Sequence, residues 1–321
     1  MTISAFSETT AAAAAMMIVV VFVLPLSAGA AAPPPAPAIG MPNCSTSCGD
    51  ISVPYPFGMG PARCYHSPGF NLTCDNTTSP PRLLLGGILQ VHYISLPQST
   101  LLVTRTPGDA RVDAGGSGSL FAGGLGDDDG AYIKLSYIGN ELILLGCNVR
   151  ATLRNGNGTT ISTCSSLCGD IGPSWYVPSS LGSSMLCTGD ACCQAPIVAD
   201  AGTAGKAAAA SYDVKLEWFG RNRTADEERM PTRVFVADKG WFEKKQVSDR
   251  LLHPATKYID VGAPVWLSWE VAEHPSTRAN SNITSPSSLV VCEEGEGGGY
   301  SACLCPEGYG GNPYIPDGCQ G

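Results

Sequence analysis

Alternation of apolar and polar residues predicts a chain built mostly from β-strands. The clearest case is 212–218, where every second residue is apolar and Asp213, Lys215 and Glu217 lie between. A period of two predicts a strand with one buried side and one solvent-facing side. By the same criteria and by β-branched content, further strands are predicted at 88–96, 101–103, 233–236 and 265–271. Short helices are predicted at 204–210 and 244–252.

A β-hairpin is predicted around Gly139-Asn140. Residues 131–138 alternate in polarity, and 141–147 follow as an apolar run. A Gly-Asn pair between two such runs indicates a tight turn. The Gly- and Asp-rich stretch 107–130 predicts a long loop. Its acidic triplet at 127–129 lacks the ligand spacing of a calcium loop, so we interpret it as solvent-exposed.

Two cysteine-rich segments, 44–74 and 164–193, interrupt the strand pattern. The first contains the turn Val53-Pro54-Tyr55-Pro56-Phe57-Gly58. Each proline removes a backbone donor and favours extended geometry in the residue before it, so this segment cannot form a long helix. The pattern Cys-x-x-x-Cys-Gly-Asp-Ile occurs at 44–51 and again at 164–171. This echo indicates either a duplicated unit or chance similarity.

The 14 cysteines predict disulfides and therefore an oxidising compartment. Metal binding is the alternative for a cysteine-rich chain. No C-x2-C pair occurs, and the four histidines have no finger-like spacing to the close cysteine pairs. We therefore expect no metal and no cofactor, and we expect all of the following to be oxidised: Cys44, Cys48, Cys64, Cys74, Cys147, Cys164, Cys168, Cys187, Cys192, Cys193, Cys292, Cys303, Cys305 and Cys319.

The distribution of cysteines predicts how the chain is tied together. Residues 44–155 contain five cysteines and residues 156–291 contain five more. If all are oxidised, an odd number in each region requires at least one disulfide between them. Adjacent Cys192 and Cys193 are expected to pair with different segments, because a bond between neighbours would be strained. The remaining connectivity is open at this stage.

The N-terminus predicts export. Residues 11–26 form an apolar run, shorter than the roughly 20 residues that span a bilayer, and small residues follow with Ala28-x-Ala30 as a cleavage site. We predict a signal peptide at 1–30 and an extended Pro/Ala linker at 31–43. The region before the run carries Glu8 and no Lys or Arg. An uncleaved segment that anchors the chain to a membrane is therefore the alternative.

Sequons and charge agree with an extracellular protein. We predict N-glycosylation at Asn71, Asn76, Asn157, Asn222 and Asn282. A sixth sequon begins at Asn43, with Cys44 in its middle position. The formal net charge of −9 argues against nucleic acid as a partner, because nucleic acids select basic surfaces.

Four motifs occur in order along the chain: Cys48-Gly49-x-Ile51-x-Val53-Pro54-Tyr55-Pro56-Phe57-Gly58 with Gly69-Phe70-x-Leu72-x-Cys74; Leu145-Gly146-Cys147; Cys164 to Cys193 ending in Cys192-Cys193-Gln194; and Gly308-Tyr309-x-Gly311-Asn312-Pro313-Tyr314-x-x-x-Gly318-Cys319. Together they resemble the extracellular part of plant wall-associated receptor kinases. The resemblance implies a galacturonan-binding module at 44–155, a cysteine-rich region at 156–291 and a partial EGF-like segment at 292–321. The expected fold is a set of disulfide-rich extracellular β modules with long loops.

The departures from the family pattern shape the expectation. The chain contains no Gly-rich phosphate loop, no H-R-D and no D-F-G. The resemblance thus implies an ectodomain that lacks the transmembrane helix and the kinase. The EGF-like segment has four cysteines, and the family pattern implies the pairs Cys292–Cys303 and Cys305–Cys319. Its acidic calcium-ligating opening is absent, so no calcium is expected there.

The resemblance implies a non-catalytic function, the binding of an acidic cell-wall polysaccharide, pectic galacturonan, in the cell wall. Sugars stack on aromatic rings, and Arg binds carboxylates through two donors. The candidate ligand-binding residues near the first cysteine-rich segment are Tyr55, Phe57, Arg63, Tyr65 and Arg82. The alternative for Tyr55 and Phe57 is a structural turn packed beside the disulfides, and for each arginine it is a solvated surface position.

Two other functions are open. An enzyme acting on wall polymers would need paired carboxylates or a Ser/His/Asp set. The chain has no G-x-S-x-G motif, so we expect no catalysis. The second alternative is a secreted decoy or co-receptor that binds full-length receptor kinases or other wall proteins.

Overall fold

The computed structural model describes residues 38–121, 125, 131–168, 187, 189, 191–198, 211–219, 223–252, 259–275, 289–295 and 299–321. Residues Pro37–Gly321 form one compact unit. Several predictions lie outside the described residues: the signal peptide at 1–30, most of the 31–43 linker, the helix at 204–210, the acidic triplet at 127–129, and the sequons at Asn222 and Asn282.

The described residues form 21 strands, which confirms the prediction of a mostly β protein. The first ten are β1 (Ser47–Cys48), β2 (Ile51–Ser52), β3 (Gly58–Met59), β4 (Asn71–Asp75), β5 (Arg82–Leu85), β6 (Leu89–Ser95), β7 (Thr100–Arg105), β8 (Arg111–Val112), β9 (Ser117–Ser119) and β10 (Ala131–Leu135). The others are β11 (Asn140–Leu145), β12 (Val149–Asn155), β13 (Thr160–Ser166), β14 (Cys192–Pro196), β15 (Tyr212–Trp218), β16 (Arg233–Asp238), β17 (Ala263–Val271), β18 (Val291–Glu294), β19 (Tyr300–Leu304), β20 (Gly310–Gly311) and β21 (Cys319–Gln320).

Helices are few and short in the described part of the chain. They are α1 (Arg223–Arg229) and α2 (Lys245–Leu252), with 3-10 turns at Ala62–Cys64 and Pro68–Phe70. The second helix matches the prediction at 244–252, whereas α1 was not predicted. No helix within the described ranges is long and apolar enough to cross a lipid bilayer.

Strands from distant parts of the chain pair in the same sheets. A nine-stranded sheet has the order β18-β19-β17-β7-β6-β5-β4-β3, and β10 also pairs with β17. A five-stranded sheet has the order β13-β12-β15-β9-β8, and a three-stranded sheet has the order β14-β11-β16. Because β17 pairs with β7 and β15 pairs with β12, residues 44–155 and 156–291 share their sheets.

The predicted hairpin around Gly139-Asn140 is wrong. Strand β10 pairs with β17, whereas β11 pairs with β14 and β16 in another sheet. The reason is that β11 is buried along its whole length. Its alternate residues enter two hydrophobic clusters, with Leu142 and Leu144 in the larger and Ile143 and Leu145 in the smaller. Because the strand is buried, the backbone donors and acceptors on both of its edges need hydrogen-bond partners. A two-stranded hairpin pairs only one edge.

Two further pattern predictions can be compared with the structure. The alternating strand at 212–218 is confirmed, because the residues of β15 alternate between buried and exposed up to its last position. The long loop at 107–130 is broken by two short strands, β8 and β9, which pair with each other. Strand β9 also joins β15, so backbone pairing extends the five-stranded sheet where composition indicated only loop.

The 14 cysteines form seven disulfides. The pairs are Cys44–Cys64, Cys48–Cys74, Cys147–Cys168, Cys164–Cys193, Cys187–Cys192, Cys292–Cys303 and Cys305–Cys319. Cys147–Cys168 is the bond between regions that the odd cysteine counts predicted, and the two expected EGF-like pairs are confirmed. Cys192 and Cys193 pair with different partners, as expected.

The two echoed segments differ in their disulfide pairing. Cys44 and Cys48 both pair with later cysteines. In the second segment Cys164 pairs forward, whereas Cys168 pairs back to Cys147. The disulfide framework is therefore not duplicated, which favours chance similarity.

Candidate functional site

The proline-aromatic turn of the first cysteine-rich segment is part of the core. Phe57 is only 1% exposed, and its ring lies edge-on to Phe70 and Trp269, with centroid distances of 5.0 and 5.4 Å. Tyr55 is 3% exposed, and its hydroxyl lies 3.5 Å from Nδ1 of His66. Neither ring presents a face to solvent. The structure therefore favours the scaffold interpretation of both side chains over a sugar-stacking role.

A groove of about 480 Å³ opens beside the turn, at the two disulfides of the first segment. The bonds Cys44–Cys64 and Cys48–Cys74 hold residues 44–49 against the 3-10 turn and the end of β4. Its wall combines polar side chains with cysteine sulfur and apolar surface. The groove is lined by Asn43, Cys44, Ser45, Ser47, Cys48, Gly49, Met59, Gly60, Pro61, Arg63, Cys64, Cys74 and Asn76.

Arg63 supplies the charge of this groove. It lies in the 3-10 turn Ala62–Cys64, where Pro61 precedes the turn and the disulfide of Cys64 fixes its end. The residue is exposed, and it makes no hydrogen bond or ion pair with the described residues. Among the residues that line the groove, Arg63 alone is charged. Its five guanidinium donors are therefore available to a ligand.

Arg82, another predicted site residue, is paired instead. Its Nη2 lies 3.1 Å from Oδ2 of Asp75, and it is outside the groove lining. Hydrogen bonds from the side chain and backbone of Thr77, and then from Arg82, lower the pKa of Asp75. Asp75 is therefore ionised at neutral pH, and its charge offsets that of Arg82. Tyr65 is half-buried and also outside the lining.

Sequence reasoning missed the polar groups around Arg63. Asn43, Ser45, Ser47 and Asn76 add hydroxyl and amide groups to the groove wall, and no aromatic ring lines it. Serine and asparagine are ordinary surface residues, so their types gave no signal. The only sequence hint was their position beside the cysteines that form the groove.

The lining determines what chemistry the groove can perform. A guanidinium can bind one carboxylate through two parallel hydrogen bonds. The surrounding hydroxyls and amides can exchange hydrogen bonds with sugar hydroxyls. Catalysis of glycoside hydrolysis generally requires two carboxylates, and none is present among the groove-lining residues. This arrangement suits binding rather than hydrolysis.

A second cavity, of about 390 Å³, lies where β8 and β16 approach each other. Its charged wall includes Asp109, which accepts two hydrogen bonds from Arg233, at 3.0 and 3.1 Å. Arg233 also donates to the carbonyl of Ile259 at 3.0 Å. Because Asp109 is already paired with Arg233, we assign no ligand to this cavity.

Comparison with known proteins shows what this chain is similar to. The family model described as "Wall-associated receptor kinase galacturonan-binding" matches residues 44–105. Wall-associated receptor kinase 2 of Arabidopsis thaliana is 28% identical over 285 residues, covering 86% of this chain and 34% of that protein. These matches confirm the resemblance to wall-associated receptor kinases.

Two further relatives have similar identity and coverage. Wall-associated receptor kinase-like 4 of Arabidopsis thaliana is 26% identical over 305 residues, covering 86% of this chain and 36% of that protein. Wall-associated receptor kinase 3 of Arabidopsis thaliana is 28% identical over 289 residues, covering 87% of this chain and 36% of that protein. The chain thus spans about a third of the length of these relatives. No solved structure matches the chain.

Proposed function

We propose that this protein binds the acidic pectic polysaccharide galacturonan, without catalysis, at the groove that contains Arg63, and that it does so outside the cell. One observation supports this most directly. The segment matched by the galacturonan-binding family model, 44–105, includes every groove-lining residue except Asn43. The only charge in that lining is a cation, which is the complement of a uronate.

Binding would use a local charge rather than a general field. The chain carries a net charge of −9, so a polyanion is repelled by the protein as a whole. Arg63 would bind one sugar carboxylate, and Ser45 and Ser47 would contact neighbouring hydroxyls. Because exposed charges are screened beyond about 8 Å at physiological ionic strength, salt in that range suppresses the long-range repulsion and leaves the short contact.

The test is retention on immobilised polygalacturonate, with a neutral glucan as the control. We expect the wild type to be retained on polygalacturonate, and Arg63→Ala to lose most of that retention. Arg82→Ala is the matched control, because it removes the same charge from a position already paired with Asp75. Arg63→Lys should retain partial binding, since lysine keeps the charge but lacks the planar fork. Equal retention of all four proteins would refute the assignment of the groove.

Similarity to the receptors themselves supports a second candidate function. A chain that resembles them over 86% of its length could compete with full-length receptor kinases for ligand, or pair with them. Co-purification with such a receptor in the absence of pectin would favour pairing. Competition predicts instead that added protein lowers ligand capture by the receptor. Release of reducing ends from polygalacturonate would contradict the non-catalytic proposal.

A further inference from the structure

Asn76 connects a predicted modification to the proposed binding site. It follows β4 directly, its side chain is exposed, and it begins the sequon Asn76-Thr77-Thr78. It also lines the groove that contains Arg63. A sugar attached to Asn76 would therefore start on the wall of that groove.

The local backbone presents the sequon on the surface. Asp75 Oδ1 accepts hydrogen bonds from the backbone N–H of Thr77, at 2.9 Å, and from its hydroxyl. This is a side-chain-stabilised turn of the kind that aspartate favours. The hydroxyl of Thr78 donates to the carbonyl of Pro80 at 3.0 Å. Such turns lie on the protein surface, where a bulky glycan has room.

We propose that Asn76 carries an N-linked glycan that occupies the groove and competes with polysaccharide for access to Arg63. This inference rests on the proposed function and concerns regulation of the same site. In the modification, the side-chain nitrogen of Asn76 bonds to the anomeric carbon of a sugar pyrophosphate-lipid donor. The sugar–pyrophosphate bond breaks, the lipid pyrophosphate leaves with the electron pair, and the amide nitrogen loses one proton.

Attachment at the groove wall makes this competition effective. A tethered group samples its neighbouring site at an effective concentration in the millimolar range when the link is short and flexible. The serine and asparagine groups of the lining suit the hydroxyls of any sugar, including those of the protein's own glycan. The glycan cores of asparagine-linked chains offer no carboxylate to Arg63, so a polyuronate retains an advantage and the block is partial.

Other sequons provide internal controls. Asn71 is exposed at the start of β4, five residues before Asn76, but it does not line the groove. Asn157 is exposed after β12 and is also outside the lining. A glycan at either position would start outside the groove wall.

The experiment compares polygalacturonate binding by proteins secreted from a glycosylating host. The variants are Asn76→Gln, Asn71→Gln and Thr78→Ser, the last of which keeps both the sequon and the hydroxyl that bonds to Pro80. Peptide mass mapping shows whether Asn76 is occupied. If the glycan leaves the groove open about a tenth of the time, Asn76→Gln should bind roughly tenfold more tightly than the wild type. Thr78→Ser and Asn71→Gln should match the wild type.

Each contrary outcome has a distinct meaning. An unmodified Asn76 peptide in the secreted protein overturns the inference. Equal binding by wild type and Asn76→Gln, with binding lost in Arg63→Ala, also overturns it but leaves the proposed function intact. Absence of binding in every protein, Asn76→Gln included, overturns the proposed function and the inference together.

Discussion

The side-chain amide of Asn312 donates a hydrogen bond of 2.7 Å to the backbone carbonyl of Tyr55, across 257 residues of sequence. The same nitrogen donates to the carbonyl of Ile39 at 2.9 Å, and its Oδ1 accepts from the N–H of Tyr314 at 3.0 Å. The C-terminal segment, 292–321, therefore packs against the proline-aromatic turn of the first cysteine-rich segment. Residues near the two ends of the described chain thus pack together within one compact unit.

This contact predicts a large cost for a small substitution. Asn312 is 2% exposed and Tyr55 is 3% exposed, so Asn312→Ala would leave the buried carbonyl of Tyr55 without this donor. The carbonyl of Ile39 would keep its hydrogen bond from the N–H of Tyr55, at 2.9 Å. Each buried group left without a partner costs roughly 1–3 kcal/mol. We expect a clear fall in Tm, measured by calorimetry on the oxidised protein. Glu307→Ala, an exposed change in the same segment, is the control, and an equal Tm for the two variants would count against the contact.

The bond Cys147–Cys168 gives a second prediction. It joins positions 21 residues apart and connects the first region to the second. Closing a loop of this size stabilises a protein by about 3 kcal/mol in the chain-entropy description. We expect Cys147→Ser/Cys168→Ser to lose about that much free energy of unfolding in a denaturant titration. A non-reducing peptide map of the wild type should recover the two cysteines in one linked peptide, and recovery of either with another partner would contradict the pairing.

Local periodicity and cysteine counts were sufficient for part of this fold. The alternation at 212–218 identifies β15 because one face of that strand is buried and the other is wet. The odd cysteine numbers required a bond between regions because parity does not depend on geometry. The partners of β11 could not be predicted, since they come from 192–196 and 233–238, and no local pattern says which strands will flank a fully buried one.

The candidate site shows the same limit. The sequence grouped Arg63 with Tyr55 and Phe57 as candidate ligand contacts near the first cysteine-rich segment. The burial of Phe57 depends on Trp269, which arrives from β17 far along the chain. The ion pair of Arg82 depends on the register of β4 and β5, which places Asp75 directly opposite Arg82. The first contact is tertiary and the second depends on strand register, so residue type alone could not separate a buried ring or a paired arginine from an unpaired one.

The aromatic turn gives a prediction that separates scaffold from ligand contact. Truncation of a buried phenylalanine typically costs 3–5 kcal/mol, so Phe57→Ala should lower stability by about that amount. Its affinity for polygalacturonate, normalised to folded protein, should be unchanged. Tyr55→Phe should alter affinity little, because the hydroxyl lies 3.5 Å from His66 and is buried. Isothermal titration together with thermal unfolding checks both, and a selective loss of affinity in Tyr55→Phe would restore a ligand role.

Glu141 supplies a pH-dependent prediction. It is 7% exposed on β11, and its Oε1 accepts hydrogen bonds from Gln194 at 3.0 Å and from the backbone of Gly240 at 3.2 Å. Burial raises the pKa of Glu141, and the hydrogen bonds from Gln194 and Gly240 oppose this rise only in part. The folded protein therefore binds the proton more tightly than the unfolded chain does.

The sign of the effect on stability follows from that difference. A raised folded-state pKa gives stability that is complete below the unfolded pKa of glutamate, about 4.3, and that is lost as the pH rises through the folded pKa. Glu141→Gln keeps an oxygen that can accept from Gln194 and Gly240 but carries no charge. We expect the variant to have a higher Tm than the wild type at pH 7, and this gap should narrow as the pH falls towards 4. Glu307→Gln, at an exposed position, should show no such trend. A gap that stays constant with pH would mean that the charge of Glu141 does not oppose folding.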